Sequence, residues 1–411
     1  MSTLLRSLLG SLLAILVALV SQGAITQKSR DPGVTDTEIR IGSFMPYTGP
    51  LESFGQIGKA EAAYFETINE RGGINGRKIR FMSYDDLSDA SNAADLTHIL
   101  VEIDNVLLMF GSYGTPGNLA VRKYLNERQI PQLFAASGDQ HLSEPSLYPW
   151  TMGWQPTFRE EGRIYANYIQ AFYPGKKIVA LWQNDNFGRE LFKGLEQGLG
   201  DVARNIRVDV AYDVGDQHLD AHVSILKRSG AEIFVFAGLP ENAAKVIRIA
   251  AEHDWHPVFI VNQMASSIAT VMKPAGLENA GGVITAAFLK DAADPAWKEE
   301  LEAKDWRVFH DKYSKAGGKD DGAAVYGYAA AETLVQVLKQ CGNDLSRENV
   351  MKQAVALKDY QASALLPDIK INTGPWDFRP IEQMRLVQFD GRTWQPIGEV
   401  LETAFSDVNR K

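Results

Sequence analysis

Residues 38–84 read EIRIGSFMPYTGPLESFGQIGKAEAAYFETINERGGINGRKIRFMSY, and they decide the fold class. Residues 38–44 predict a strand, residues 54–71 predict a helix because their apolar positions recur near a 3.6-residue period, and residues 78–84 predict a second strand. A helix that connects two strands in this way places them parallel in one sheet. The stretch therefore predicts a βαβ unit of an α/β fold.

The alternation of strands and helices continues along the chain in two runs. The first run adds predicted helices at 90–103 and 117–128 and strands at 106–110 and 131–136; the second has strands at 177–183, 208–214, 232–238 and 257–263 and helices at 188–199, 219–228 and 241–253. Two such runs imply two similar lobes, each a doubly wound parallel sheet covered by helices. Ligands of such sheets bind beyond the carboxyl ends of the strands.

The C-terminal part of the chain is predicted to be mostly helical. Helices are expected at 294–315, 323–340 and 346–357, with Ser346 as the N-cap of the third. Asp390-Gly391, between two short strand-like segments, predicts a β-hairpin. No low-complexity linker separates the lobes, so short, stiff segments are expected to cross between them and to form a hinge.

The N-terminal residues predict the compartment. Residues 1–24 read MSTLLRSLLGSLLAILVALVSQGA, with one cation at Arg6, an apolar stretch from 8 to 20 and small residues after it. This is the order of regions in a signal peptide, and the apolar stretch is shorter than the roughly 20 residues that a spanning helix needs. We therefore predict a signal peptide over residues 1–23 and export to the periplasm; an uncleaved membrane anchor is the alternative.

Charge and cysteine content exclude several classes of protein. The formal net charge is −9, and no cluster of Lys and Arg with interleaved aromatic residues is present, so a nucleic-acid partner is not expected. The single cysteine, Cys341, cannot form an intramolecular disulfide. A chain of 411 residues can bury enough apolar surface to fold without one.

The sequence lacks the common motifs of catalysis and cofactor binding. There is no H-E-x-x-H, G-x-S-x-G or C-x-x-C, and the segment FGSYGTPGN at 110–118 has neither the Lys of a phosphate-binding loop nor the spacing of a dinucleotide fingerprint. His218 and His222 share one face of a predicted helix, but a metal would need a further ligand from a nearby Asp, and a solvated helix face gives the same pattern. No cofactor and no metal are expected.

The loops that follow the predicted strands carry hydroxyl, amide and aromatic side chains. Free backbone N–H groups and hydroxyls are expected where a helix begins after Thr115, and a helix N-terminus favours a carboxylate. Phe54 and Phe187 would then cover an apolar body. Ordinary turns are the alternative interpretation of these loops.

Four segments carry a family resemblance: GSFMPYTGPLESFGQIGKAEAAYFETINERGGINGRKI at 42–79, YDD at 84–86, QNDNFGRELFKGLEQGLG at 183–200 and KPAGLENAGGV at 273–283. They resemble the type I periplasmic binding proteins, specifically relatives of the leucine/isoleucine/valine-binding protein of ABC importers. YPWTMGWQP at 148–156 is similar to a subgroup of these proteins. The resemblance covers the chain from about residue 37 to the end.

The resemblance implies two α/β lobes joined by a three-segment hinge, one lobe formed by residues 37–155 with 286–382 and the other by 156–285 with 383–405. It implies a protein that captures a small-molecule ligand by closure of the lobes and passes it to an ABC permease complex in the inner membrane, without catalysis. A ligand-sensing receptor of a signalling system shares the fold and is one alternative. A hydrolase that uses Asp139 with Thr115 is the other.

The resemblance also implies site residues. Thr115 matches the family's Ser that binds the ligand carboxylate, and Phe54 and Phe187 match aromatic residues that pack on the ligand. The full set of expected ligand-binding residues is Phe54, Tyr113, Gly114, Thr115, Ser137, Asp139, Gln140, Phe187 and Gln263.

Two departures from the family pattern bear on the ligand. Gln263 replaces the Glu that receives the ligand ammonium, and an unpaired buried charge is costly, so aromatic or branched aliphatic acids are expected ahead of plain amino acids. Asp139-Gln140 replaces an Ala-Thr pair; Asp139 could substitute for the missing Glu, or it could point away and cap a turn. Ser88 and Gly114 stand where the family has the two cysteines of a disulfide.

Overall fold

The computed structural model describes residues 32–301, 304–319 and 322–403. The predicted signal peptide over residues 1–23 lies outside these ranges. Within them, twelve strands form two sheets, and helices pack against both. No helix in the described ranges is long and apolar enough to cross a membrane.

The first sheet contains five strands in the order β2-β1-β3-β4-β5. They are β1 Glu38–Met45, β2 Lys78–Asp85, β3 Leu108–Phe110, β4 Gln132–Ala135 and β5 Thr151–Gly153. Neighbouring strands are parallel, and Ile41 of β1 lies opposite both Phe81 of β2 and Leu108 of β3. Every residue of β3 and β4 is buried, as expected for a parallel sheet with helices on both faces.

The second sheet contains seven strands in the order β12-β11-β10-β9-β8-β6-β7. They are β6 Ile178–Gln183, β7 Ile206–Tyr212, β8 Ile233–Ala237, β9 Val258–Val261, β10 Ile284–Ala287, β11 Gln383–Phe389 and β12 Trp394–Glu402. Strands β6 to β10 pair in parallel, whereas β11 and β12 add an antiparallel hairpin beside β10. In its turn, Asp390 Oδ1 accepts N–H bonds from Arg392 and Thr393, so the predicted hairpin is confirmed.

The first five strands of the two sheets follow the same spatial order. In each sheet the second strand lies at one edge beside the first, and the third, fourth and fifth follow on the other side. The prediction of two doubly wound lobes is therefore confirmed. The strand order reverses between β1 and β3 and between β6 and β8, where such folds hold their ligands.

Most of the helices lie where the sequence predicts them, but those over Phe158–Phe172 and Lys273–Ala275 were not predicted. They are α1 Gly55–Glu70, α2 Ala90–His98, α3 Thr115–Glu127, α4 Phe158–Phe172, α5 Asn186–Leu199, α6 Leu219–Arg228, α7 Pro240–Glu252, α8 Lys273–Ala275, α9 Lys298–Leu301, α10 Lys304–Lys315, α11 Gly322–Gln340 and α12 Arg347–Ala354. Ser346 accepts the N–H of Asn349 and caps α12, as predicted. Three ends differ: Ile99–Ile103 forms a π-helical turn after α2, Pro295–Trp297 forms a 3-10 turn before α9, and α12 ends at Ala354 where the prediction extends to residue 357.

The chain passes between the two sheets three times. The first passage follows β5. The second follows β10 and leads to α11, which packs on α1, and the third precedes β11. Arg379 ties two of them together, since its guanidinium contacts Glu160 of α4 at 2.8 Å and Glu382, next to β11, at 2.5 Å. Three passages are the connectivity that a three-segment hinge needs, and the lobe boundaries stay a prediction.

Candidate functional site

A cavity of about 120 Å³ lies between the carboxyl ends of strands from both sheets. The loops after β3 and β4 form one wall, and those after β6, β8 and β9 form the other. This first cavity is lined by Leu51, Phe54, Tyr113, Gly114, Thr115, Pro116, Ala136, Ser137, Gln155, Phe158, Gln183, Asp185, Asn186, Phe187, Gly238, Leu239, Asn262 and Met264. It occupies the edge at which doubly wound sheets bind ligands.

One wall of the first cavity is the N-terminus of α3. Thr115 is the first residue of this helix, and its hydroxyl lies 2.7 Å from the hydroxyl of Ser137 at the end of β4. Gly114 precedes the helix with φ +94° and ψ 142°, a conformation essentially restricted to glycine, and no side chain caps the helix. Pro116 has no N–H, but the other N–H groups of the first turn have no acceptor within the helix, so this end can bind an anion with N–H and hydroxyl donors.

Aromatic rings line the cavity from both lobes. Phe54 stacks on Tyr113 with ring centroids 4.4 Å apart and planes inclined by 13°. Across the cavity, Phe187 in the first turn of α5 meets Phe158 edge to face at 4.9 Å. Two aromatic pairs on opposite walls can enclose an apolar group and fix its orientation.

The only charged side chain that lines the first cavity, among the residues described, belongs to Asp185. Asp185 caps α5 by accepting the N–H of Gly188 at 3.0 Å, and it also accepts a bond from Gln183 Nε2. Burial raises the pKa of its carboxyl above the usual value for aspartate. A ligand cation would thus find its one counter-charge on the second lobe, opposite the anion-binding end of α3.

Six of the nine expected ligand-binding residues line the first cavity: Phe54, Tyr113, Gly114, Thr115, Ser137 and Phe187. Asp139 and Gln140 do not. Asp139 accepts the N–H of His141 at 2.9 Å and caps the 3-10 turn Gln140–Leu142, which is the second of the two alternatives considered for it.

Gln263 lies outside the first cavity as well. Its N–H donates to Glu161 Oε1 at 2.6 Å, and its side chain belongs to a neighbouring cavity. Burial raises the pKa of Glu161 to about 7. The expected preference for acids over amino acids depended on Gln263 facing the ligand beside Thr115, and this geometry removes its basis.

The neighbouring cavity has a volume of about 250 Å³ and meets the first cavity at Phe54 and Met264, which line both. The other residues that line this second cavity are Ser53, Gln56, Pro240, Glu241, Gln263, Ser266, Ser267, Thr270, Ala287, Leu289, Lys290, Asp291, Lys319, Gly322, Ala323 and Tyr326. The space between the lobes is therefore divided into a smaller and a larger compartment.

Residues 38–393 match the family model described as periplasmic binding protein. The chain belongs to this family. Leu/Ile/Val-binding protein homolog 1 of Brucella abortus (strain 2308) is 24% identical over 320 residues, which cover 76% of this chain and 81% of that protein. The resemblance to the leucine/isoleucine/valine-binding proteins is thereby confirmed.

Solved structures of the same kind share the fold. A branched chain amino acid ABC transporter protein from Thermus thermophilus with bound valine has a TM-score of 0.78 at 18% identity, covering 90% of this chain and 97% of that one. A solute binding protein of an ABC transporter from Rhodopseudomonas palustris BisB5, in complex with 3,4-dihydroxy benzoic acid, has a TM-score of 0.71 at 17% identity, covering 90% and 99%. Membership of the family implies an extracytoplasmic location.

Sequence reasoning missed several residues of this periplasmic binding protein's cavity. Asp185 belongs to the segment QNDNFGRELFKGLEQGLG, which carries the family resemblance, but its carboxylate could be assigned to the cavity only once the turn geometry was known. Gln155 and Met264 were not among the expected ligand-binding residues, although Gln155 lies in the segment YPWTMGWQP. Asn262 follows β9 directly, and its Oδ1 accepts the N–H of Gly238 at 2.9 Å, a contact between two strand ends that a single sequence does not reveal.

In this periplasmic binding protein, His218 and His222 both contact the carboxylate of Asp216. His218 Nδ1 lies 3.0 Å and His222 Nε2 lies 2.8 Å from the oxygens of Asp216. The hydrogen bonds from His222 and from the His218 N–H lower the pKa of Asp216 to about 2. Among the described residues, no group of three or more His, Cys, Asp or Glu side chains is arranged to hold a metal ion.

Proposed function

We propose that this protein is the extracytoplasmic solute-binding component of an ABC importer, that it is exported to the periplasm, and that it captures a small carboxylate-bearing solute. The observation that carries the proposal is the uncapped N-terminus of α3, where the hydroxyls of Thr115 and Ser137 meet at 2.7 Å in a cavity between the lobes. N–H and hydroxyl donors in such a site suit a carboxylate.

The two aromatic pairs support an apolar body next to the carboxylate. The Thermus protein is described with valine and the Rhodopseudomonas protein with 3,4-dihydroxy benzoic acid, and both compounds combine a carboxylate with an apolar part. Asp185 supports a further feature, because a half-buried carboxylate with no basic residue beside it in the lining stabilises a positive charge. An amino-acid-like solute satisfies both ends of the cavity.

Closure of the lobes follows from the placement of these groups. Thr115 and Phe54 approach the solute from the first lobe, whereas Asp185 and Phe187 approach it from the second. A solute that contacts both walls binds the closed form more tightly than the open form and shifts the equilibrium by that difference in affinity.

Calorimetric titration of the purified protein tests the proposal. Leucine and 4-methylpentanoate differ only in the ammonium group, as do phenylalanine and 3-phenylpropanoate, so the two pairs separate the carboxylate from the amine. Thr115→Val should weaken binding roughly tenfold to 150-fold, because a hydrogen bond to a charged group contributes about 1.5–3 kcal/mol. Thr97→Val is the matched control, since Thr97 is buried in α2 away from the cavity.

Two results would contradict this assignment of the carboxylate. One is that no carboxylate in the panel binds; the other is that Thr115→Val binds as tightly as the Thr97→Val control. The importer role has its own test: cells without this protein should lose uptake of the labelled solute, whereas a sensor would leave uptake intact and change only gene expression.

A further inference from the structure

The two cavities differ in a way that bears on the size of the solute. Small-molecule sites usually have volumes of about 300–1,000 Å³. The first cavity, at about 120 Å³, is well below that range, and only together with the second, at about 250 Å³, does the space reach it. A solute confined to the Thr115 end would leave the larger part of the space to water.

We propose that the solute is an extended carboxylate: its anionic end binds at Thr115, and a neutral chain with a polar end continues past Phe54 and Met264 into the second cavity. This inference rests on the proposed function, because the α3 end must hold the carboxylate for the rest of the molecule to point toward the second cavity. Beyond the proposed function, the inference specifies the length and the polarity of the solute.

The partition between the cavities has one fixed and one adaptable side. Phe54 is 5% exposed and is held against Tyr113 by stacking, so its ring has little freedom. Met264 approaches from the second lobe, beyond β9, and is only half buried. A methionine side chain is unbranched and flexible, so a change of its rotamer can widen the passage without movement of the backbone.

The charges around the second cavity argue against a second anionic group on the solute. Lys290 Nζ lies 2.6 Å from Glu300 Oε2 and 2.8 Å from the carbonyl oxygen of Ser363, and its side chain is only 9% exposed. The amine is therefore already paired within the protein. Glu241 and Asp291 add negative charge to the lining. Lys319 also lines the cavity, but it is exposed to solvent.

The remaining groups of the second cavity suit neutral hydrogen-bonding atoms. The lining includes three hydroxyl-bearing residues, Ser266, Ser267 and Thr270, and the apolar residues Ala287 and Leu289. A hydroxyl, amide or ureido group at the end of a hydrocarbon chain matches this mixture, since it can donate to and accept from hydroxyls while its chain covers the apolar residues.

Matched ligand pairs test the length of the solute. Norvaline and citrulline share the amino-acid end and differ in the length and polarity of the side chain; pentanoate and 8-hydroxyoctanoate form the corresponding pair without an amine. In calorimetric titrations we expect the longer member of at least one pair to bind at least about tenfold more tightly than the shorter one.

A variant that fills the second cavity tests whether the chain of the solute binds there. Thr270 lines the second cavity but not the first, so Thr270→Phe should weaken binding of the longer ligand about tenfold or more and change the affinity for the shorter one less than about twofold. Thr270→Val is the matched control of nearly equal volume. Ala287→Leu narrows the same cavity from β10, and it must give the same selective loss if Thr270→Phe does not fold.

The outcomes separate the two proposals. If short carboxylates bind at least as tightly as long ones, or if both filling variants keep the affinity for the long ligand, the inference fails and the proposed function stands. If no carboxylate of either length binds, both fail.

Discussion

Replacing Glu61 by Gln is expected to remove a pH-dependent loss of stability. Glu61 lies on α1 with 0% of its surface exposed, and neither of its carboxyl oxygens has a hydrogen-bond partner within the described residues. The protein makes room for the group: a Cβ at Gly111 would lie 2.0 Å from Glu61 Oε1. Burial raises the pKa of this carboxyl well above its usual value.

The direction of the effect follows from the protons bound in each state. Above a pH of about 4.3 the unfolded chain loses the proton of Glu61, whereas the folded protein keeps it because its pKa is raised. The unfolded state then binds fewer protons than the folded one, so the free energy of unfolding falls as the pH rises. The slope is about 1.4 kcal/mol per pH unit while the folded carboxyl stays protonated, which amounts to at most about 2.7 kcal/mol between pH 5 and 7.

Urea unfolding at pH 5, 6 and 7 measures this slope. Glu61→Gln retains the shape of the side chain but cannot ionise, so the difference in unfolding free energy between the variant and the parent should grow in favour of the variant as the pH rises. Glu66→Gln, on the exposed side of the same helix, is the control for the loss of a carboxyl group that is not buried. Parallel pH profiles for the parent and Glu61→Gln would refute the reasoning.

Three further predictions concern the site and the passages between the lobes. Asp185→Asn keeps a residue able to cap α5 but removes the negative charge. In calorimetric titrations, leucine should therefore bind about tenfold more weakly, whereas the affinity for 4-methylpentanoate should not change. Equal losses for both ligands would contradict the role of Asp185 as the counter-charge to the ligand ammonium. Gly114→Ala should lower the unfolding free energy by about 1–3 kcal/mol because of its φ of +94°, whereas Gly281→Ala, whose Cβ would have space, should not; equal thermal midpoints would contradict this. Arg379→Met should lower the free energy of unfolding measured in urea by about 1–3 kcal/mol, because the carboxyl of Glu160 loses its cation. An unchanged free energy of unfolding would mean that this ion pair does not stabilise the protein.

The two lobes could be predicted from the sequence because their signals are local. Long strands such as Glu38–Met45 and helices such as Leu219–Arg228 are bounded by turn residues and follow a clear period. Strands Thr151–Gly153 and Ile284–Ala287 are only three and four residues long, too short to show a period, and they were missed. Pro295 does not donate an N–H, and the segment it begins forms a 3-10 turn where a helix was expected.

The cavity could be predicted in part, for a related reason. Thr115, Ser137 and Phe187 line one cavity because each lies within five residues of the end of a strand whose carboxyl end reaches the same edge, and strand order alone brings them together. The orientations of Asp139 and Gln263 are set by 3-10 turns, in which a rotation of one residue moves a side chain to another surface. Such turns depend on tertiary contacts, for instance the bond from the Gln263 N–H to Glu161, 102 positions earlier.

The three passages between the sheets also govern the order in which the protein can be completed during synthesis. The first sheet is built from residues before position 154, yet α11, which packs on α1, is made some 170 positions later; the second sheet lacks its hairpin until β11 and β12 exist. Neither lobe is therefore finished until nearly the whole chain has left the ribosome. Contacts of such large sequence separation fold slowly, so an incomplete chain stays open for longer than it would if each lobe were one continuous segment.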